Sequence, residues 1–199
     1  MLDWERRKRE AIERLRDHIE RRRVDEDIIS LLETINKIPY AYTTSSCSGR
    51  IQLYEAQLPG EKFSMRTLGK WHSSLSEKAL INAMRGENIW LAVLPPILHI
   101  YTCNLSSSVR MLNLLRASGF KRAGLTHLSS RGCFIEAIGT ERLEVPMRLH
   151  GRDLISGEGI ELIVGVANSL LWKSKARLAK LEVVLRDEAS RSLDNLCGE

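Results

Sequence analysis

The most unusual stretch of this 199-residue chain is a run of hydroxyl side chains that ends in a glycine and an arginine. It occupies residues 43–50, between two apolar segments that look extended. Such a turn offers hydroxyl and backbone N–H donors to a carboxylate, a phosphate or the edge of a base. We call residues 43–50 the hydroxyl-rich run, and its candidate binding residues are Ser45, Ser46, Cys47, Ser48, Gly49 and Arg50.

Two other interpretations of the hydroxyl-rich run remain open at this point. Serines in a hairpin loop commonly bond their own backbone, which would make the run structural. Cys47 would act as a nucleophile only with a neighbouring base that keeps it as the thiolate. The sequence shows no such base, and the C-x5-R pattern of a phosphatase loop is absent.

Two histidines are candidates for accepting a proton. His72 follows Trp71, and this pair could stack on a flat base and take its proton, or could simply anchor a loop. His99 lies in the apolar run 97–101, so it is either on the solvent face of a strand or a half-buried titrating group. The five histidines lack H-x-x-x-H spacing, and the sequence therefore predicts no metal site.

The charge distribution permits an anionic partner without requiring one. The formal net charge is +5, and its excess lies mainly in residues 38–172, since residues 1–37 are neutral overall. Arginine outnumbers lysine, and its planar guanidinium suits phosphate oxygens. The run 21–23 is three arginines that could touch phosphates, but the three acidic residues after it favour a solvated surface.

The elements that must position these residues can be inferred from periodicity and capping residues. Helices are predicted in the N-terminal segment 1–38, at 77–84, from an N-cap at Ser106 to 116, and from about 157 onward. Asp25 is predicted to cap the second helix of the first segment. Strands are predicted at 40–44, 50–54, 88–94, 98–102, 125–128, 133–138 and 143–149.

These elements predict an α+β fold of one domain, 1–199, with mixed or antiparallel sheets and helices at both termini. Residues 44–51 resemble residues 128–135, and both suggest a strand, a tight turn and a second strand. This similarity would fit two β-hairpin-containing halves, about 40–120 and 121–185, although a chance match fits as well.

Further patterns exclude several classes of protein. The four cysteines are far apart and form no C-x-x-C motif, which argues against zinc ribbons and thioredoxin-like sites. The start lacks an apolar signal region and no run of 18 apolar residues occurs, so we expect a cytoplasmic protein without a membrane segment. A structural disulfide is unexpected there, except in a hyperthermophile.

Residues 42–51 resemble the signature of the tRNA wybutosine-synthesising protein 3 family, including its archaeal members. The resemblance spans roughly residues 5–185, and Ala123 departs from it where a serine is expected. The later features that match in order are Trp71-His72, Pro96 with His99, Ser118-Gly119-Phe120-Lys121, Val145-Pro146 and Ala167-Asn168.

The resemblance implies a methyltransferase that uses S-adenosylmethionine and no metal. Its substrate would be N-4 of the tricyclic wyosine-type base next to the anticodon of phenylalanine tRNA. The fold would not be the Rossmann type, which agrees with the absence of a G-x-G-x-x-G fingerprint.

On this hypothesis, Arg50 binds a carboxylate or phosphate and Trp71 stacks on the base. His99 is the general base, with His72 as the second choice. The further binding residues are Ser129 and Ser130, on an opposite wall, and Asn168.

Two other functions compete with methyl transfer. A non-catalytic RNA-binding module would bind phosphates in a strongly salt-dependent way and would have no affinity for S-adenosylmethionine. A cysteine-dependent hydrolase would use Cys47 and would lose activity on alkylation. The sequence also leaves open whether the charged N-terminal helix forms a homodimer.

Overall fold

The computed structural model describes residues 2–60, 65–129, 132–190 and 197. A short 3-10 helix at Glu26–Ile28 precedes the second α-helix. The α-helices in these ranges are α1 (Leu2–Glu20), α2 (Ile29–Lys37), α3 (Glu77–Ala83), α4 (Leu105–Ala117) and α5 (Glu158–Ala189). The strands are β1 (Ala41–Thr43), β2 (Arg50–Glu55), β3 (Arg66–Trp71), β4 (Ile89–Leu94), β5 (Ile97–Thr102), β6 (Arg122–Ser129), β7 (Gly132–Ile138), β8 (Leu143–Leu149) and β9 (Arg152–Asp153).

The strands form two sheets in which every pairing is antiparallel. The four-stranded sheet has the order β1-β5-β7-β6, and the five-stranded sheet has the order β3-β2-β4-β8-β9. Helices lie near both ends of the chain. The predicted α+β class with antiparallel sheets is therefore confirmed, and the parallel sheet of a Rossmann-type methyltransferase is not the arrangement found.

The chain divides into two compact units. Unit 1 consists of Met1–Ser48, Pro96–Thr140 and Ala176–Glu199, and unit 2 consists of Gly49–Pro95 and Glu141–Lys175. Helix α5 contributes its first part to unit 2 and its last part to unit 1. The predicted halves, about 40–120 and 121–185, each contribute to both units, and a duplication remains a prediction.

Unit 1 places helices against the four-stranded sheet. The apolar side of α2 and residues Leu178, Leu181 and Leu185 of α5 pack with Leu98 and Ile100 of β5. The three leucines of α5 are three and four residues apart, which puts them on one face of the helix, as the periodicity predicted. Burial of each such side chain contributes roughly 1.5–3 kcal/mol. This core holds the side of β5 that faces away from His99, because side chains alternate along a strand.

Unit 2 has its own core under the five-stranded sheet. Residues Ile51 and Leu53 of β2 pack with Val164, Ala167 and Leu171 of α5. Since the three α5 residues recur at three- and four-residue steps, they too form one stripe. Among the helices of the described ranges, none is both long enough and apolar enough to cross a membrane.

The predicted hairpin at residues 44–51 does not form. Strand β1 pairs with β5, whereas β2 pairs with β3 and β4, so the hydroxyl-rich run links strands of two different sheets. The similar turn after β6 does close a hairpin, because β6 pairs with β7. Strand β3 was not predicted, since none of its residues is buried and it lacks an apolar alternation.

Three local predictions are corrected by the structure. Helix α4 is capped by Asn104, whose side chain accepts from the Ser107 N–H, and not by Ser106. Asp25 makes no capping hydrogen bond. Cys103 and Cys197 form a disulfide, although the expected reducing compartment argued against one.

A buried carboxylate connects α4, α5 and the segment before β1. Glu188 is only 2% exposed, and it accepts hydrogen bonds from the Tyr40 hydroxyl at 2.6 Å and from the Arg110 guanidinium. Burial, followed by the hydrogen bond to Glu188, raises the pKa of the Tyr40 hydroxyl, so it remains a donor at all ordinary pH values. The network therefore pairs a buried charge with two donors.

Replacing Arg110 with methionine should destabilise the fold by about 3 kcal/mol, because it leaves the Glu188 carboxylate without its cation. This value is at the lower end for a broken buried pair, since Arg110 is itself 37% exposed. Urea unfolding monitored by circular dichroism measures the change. The double variant R110M/E188M should recover most of it, and Arg186→Met, at an exposed pair with Glu182, should cost less than about 1 kcal/mol. Equal losses at Arg110 and Arg186 would contradict the buried network.

Candidate functional site

The first part of the hydroxyl-rich run lies in unit 1, along the edge of β5. The Thr44 N–H donates to the His99 carbonyl at 3.0 Å. Cys47 and Ile97 exchange two backbone hydrogen bonds, at 2.9 and 3.1 Å. The backbone of the run is therefore fixed at two points on β5, and the side chain of Cys47 is a free thiol.

His99 is joined directly to the hydroxyl-rich run. Its backbone N–H donates to Ser46 Oγ at 3.1 Å. Its ring Nε2 lies 3.1 Å from Oε1 of Glu136, its partner across the β5–β7 pairing, and the Phe134 ring lies 5.2 Å from the imidazole. The side chain of His99 is 26% exposed, so the ring is half-buried and held by a carboxylate.

Asp25 is a residue whose role the sequence analysis missed. Its Oδ2 accepts from the Ser48 N–H at 2.9 Å and from the Ser48 hydroxyl at 3.1 Å. Ser48 is fully buried, so both donors need a partner inside the protein. Asp25 thus holds the hydroxyl-rich run from the side of α2. An acidic residue before a helix looks like an N-cap in sequence, which hides this contact.

Ser45 is one residue of the run whose hydrogen-bonding groups remain available. It is exposed, and no described residue accepts from or donates to its backbone or hydroxyl group. Its neighbours Thr44 and Ser46 are both bonded to His99. The turn is therefore fixed on both sides of Ser45, while the donors of Ser45 itself are exposed.

The second part of the run, Gly49 and Arg50, lies in unit 2. Gly49 has φ of +79°, a left-handed conformation that favours glycine, and its carbonyl accepts from Lys175 Nζ at 3.2 Å. Arg50 Nε donates to the neutral Gln52 side chain at 3.3 Å. No carboxylate pairs with Arg50 among the described residues, so its positive charge is available to an anionic group.

Trp71 packs within unit 2 against its core. A Cβ at Gly69 would collide with the indole ring, so the ring lies across the glycine backbone. Trp71 is directly opposite Ile51 in the β2–β3 pairing and shares its core face, whereas Arg50 is on the other face. His72 follows this strand and is half-buried. The structure therefore does not bring Trp71 and Arg50 to one face of the sheet.

Asn168 and Trp172 of α5 hold the segment that follows His72. The Asn168 side chain accepts from the Leu75 N–H at 2.8 Å and donates to the Leu75 carbonyl at 2.9 Å. Trp172 Nε1 donates to Ser74 Oγ at 3.2 Å. The amide of Asn168 thus positions the loop before α3.

Ser129 lies at the far end of the four-stranded sheet from the hydroxyl-rich run. Ser129 pairs with Gly132, next to Thr102 at the end of β5, whereas Cys47 bridges to Ile97 at its start. Five residues of extended strand separate these ends by roughly 17 Å. Ser130 lies outside the described residues. Ala123, where a serine was expected, is buried in the core of unit 1.

Comparison with known proteins identifies the class of this fold and site. Residues 6–187 match a family model described as methyltransferase TYW3. The protein is therefore a methyltransferase that does not use the doubly wound fold. The chain belongs to the TYW3 methyltransferase family, as the resemblance of the hydroxyl-rich run predicted.

Relatives and solved structures agree with this assignment. The tRNA(Phe) 7-((3-amino-3-carboxypropyl)-4-demethylwyosine(37)-N(4))-methyltransferase 1 of Pyrococcus furiosus is 37% identical, covering 90% of this chain and 93% of its own length. The corresponding enzyme of Archaeoglobus fulgidus is 34% identical over 92% of this chain and 93% of its own. The structure of the PH1069 protein from Pyrococcus horikoshii has a TM-score of 0.88 at 35% identity, covering 92% of this chain and 96% of that one. Membership in this family decides for an enzyme over the RNA-binding module and the Cys47 hydrolase.

Replacing Asp25 with alanine should destabilise the protein by about 1–3 kcal/mol, because the buried donors of Ser48 lose their acceptor. Asp25→Asn keeps an oxygen acceptor and should lose less. Urea unfolding gives the free energies, and amide exchange of Ser48 reports the local opening. The matched control is Glu26→Gln at the exposed neighbouring position. Unchanged protection of the Ser48 amide in Asp25→Ala would show that Asp25 does not hold the run.

Proposed function

We propose that this tRNA methyltransferase transfers a methyl group from S-adenosylmethionine to N-4 of the tricyclic wyosine-type base next to the anticodon of phenylalanine tRNA. The relatives from Pyrococcus furiosus and Archaeoglobus fulgidus are named for a reaction at that atom. Their names also describe a base that carries a 3-amino-3-carboxypropyl arm. The similarity extends over nearly the whole chain, which supports the same reaction here.

The observation that carries this proposal is the direct connection between the hydroxyl-rich run and a histidine–carboxylate pair. Ser46 accepts from the His99 backbone, and the His99 ring bonds to Glu136. The candidate binding turn and the candidate base are thus joined by two hydrogen bonds, because Thr44 also donates to the His99 carbonyl. Alignment of donor and acceptor at about 3 Å is the main source of rate in such a displacement, so a rigid arrangement is valuable.

In the proposed reaction, His99 accepts the proton that N-4 releases. As the new bond from N-4 to the methyl carbon forms, the bond from that carbon to sulfur breaks and N-4 must lose its proton. With Nε2–H donating to Glu136, Nδ1 of His99 carries the lone pair that takes this proton. Glu136 holds the ring in that tautomer and stabilises the imidazolium that results.

The chemistry of the free donors fits the groups that must bind. S-adenosylmethionine supplies an electrophilic methyl group when bound, and it carries a carboxylate. Arg50, whose charge no described carboxylate neutralises, would hold a carboxylate or phosphate in a bidentate way. His72 is the second candidate for the base, and Trp71 the candidate for stacking on the tricyclic base. A tRNA substrate fits a cytoplasmic location, and homodimerisation stays a prediction.

Labelled methyl should pass from S-adenosylmethionine to phenylalanine tRNA that carries the unmethylated tricyclic base, and not to unmodified transcript. Digestion and mass spectrometry of the nucleoside would place the label on N-4. The control reaction omits the enzyme. Absence of transfer, with tRNA bound and no donor binding by calorimetry, would sink the proposed reaction.

Replacing His99 with alanine should lower the single-turnover rate by roughly 100-fold or more, because the released proton loses its acceptor. Glu136→Gln should lower it less, since only the orientation of the ring is weakened. His72→Ala tests the second candidate in the same rapid-quench assay. If both histidine variants keep the full rate, neither residue is the base.

A further inference from the structure

A cavity of about 320 Å³ lies in unit 1 beside the hydroxyl-rich run. One wall is formed by α1 and the other by residues 43–46. Its apolar floor includes Ala11 and Leu32, which are almost fully buried. The cavity is thus built from α1 and the hydroxyl-rich run together.

The wall formed by α1 carries positive charge. Residues 11, 14, 15 and 18 line the cavity, and this three- and four-residue spacing is one face of the helix. Arg14 and His18 are exposed on that face, and Arg23 reaches the cavity from the turn before α2. Two guanidinium groups and an imidazole therefore surround one small space.

Among the residues that the structure describes, no acidic side chain neutralises this positive charge. None of the described residues that line the cavity is acidic. Within the described part of the chain, no carboxylate forms an ion pair with Arg14 or Arg23. Arg21, by contrast, pairs with Asp17 at 2.7 Å. All three arginines of the run 21–23 are exposed, as the sequence favoured, and the last of them also lines the cavity.

The opposite wall supplies neutral donors. Ser45 is exposed there, no described residue bonds to its N–H or hydroxyl group, and Thr44 and Ser46 flank it. Neutral N–H and O–H donors together with guanidinium groups are the usual surroundings of a bound oxyanion. The two walls thus complement the same kind of ligand.

We propose that this cavity binds an oxyanion of the tRNA substrate, either the carboxylate of the aminocarboxypropyl arm or a backbone phosphate. Arg14 and Arg23 supply the charge and Ser45 the neutral donors. This proposal rests on the proposed function for the identity of the substrate. The methyl donor is a poor occupant, because its sulfonium and ammonium groups give it a net positive charge that the two arginines would repel.

The test compares Arg14→Gln and Arg23→Gln with Arg9→Gln, a change of the same charge on the opposite, exposed face of α1. Binding of phenylalanine tRNA is measured by fluorescence anisotropy, with and without the aminocarboxypropyl arm on the tricyclic base. Donor binding is measured by calorimetry. Each cavity variant should weaken binding of the tRNA on the order of 10-fold, while Arg9→Gln and donor binding change little.

The pattern across the two tRNAs identifies the oxyanion. If the arm carboxylate occupies the cavity, the variants weaken only the tRNA that carries the arm. If a phosphate occupies the cavity, the variants weaken binding of both tRNAs equally. The slope of log affinity against log salt concentration then falls by about one. Variants that bind tRNA as Arg9→Gln does, or that lose donor binding instead, would overturn the proposal. Failure of the wild-type protein to methylate the tRNA would overturn the proposed function separately.

Discussion

Backbone hydrogen bonding along β5 is the constraint on which the candidate site depends. β5 pairs with β1 and β7, and the chain beyond β1 continues along its edge as far as Cys47. Buried peptide groups must find partners, so this edge fixes where the hydroxyl-rich run can lie. Asp25 secures the run from a second direction. His99 lies on the face of β5 opposite to the core. The hydrogen bonds of this strand therefore fix the positions of both the hydroxyl-rich run and the imidazole.

Much of the fold could be predicted from the sequence because burial leaves a periodic trace. The helices α1, α2 and α5 and the strands β4, β5, β7 and β8 follow apolar patterns that match their observed positions. Strand β3 leaves no such trace, since at its outer position in the sheet none of its residues is buried. The identity of the pairing partners also leaves no periodic trace in the sequence. A hairpin between β1 and β2 would satisfy the local pattern, whereas the observed pairings join β1 to β5 and β2 to β4.

The candidate site, too, could be predicted from the sequence only in part. The residue types of the run predicted hydrogen-bond donors, and Ser45 does present them. The sequence could not show that Asn168 is occupied by the Leu75 backbone, that Asp25 holds Ser48, or that Trp71 lies across Gly69. Each of these depends on a contact between distant segments, and a side chain's type does not reveal which partner reaches it first.

The disulfide between Cys103 and Cys197 has a topological consequence. The two cysteines are 94 residues apart, and the chain between them includes α4, α5 and the strands β6 to β9. In the oxidised protein this stretch is a closed covalent ring that runs through segments of both units. A single proteolytic cut anywhere within the ring therefore releases no fragment. The nicked molecule keeps its full mass on a non-reducing gel and separates into two pieces only when a thiol is added.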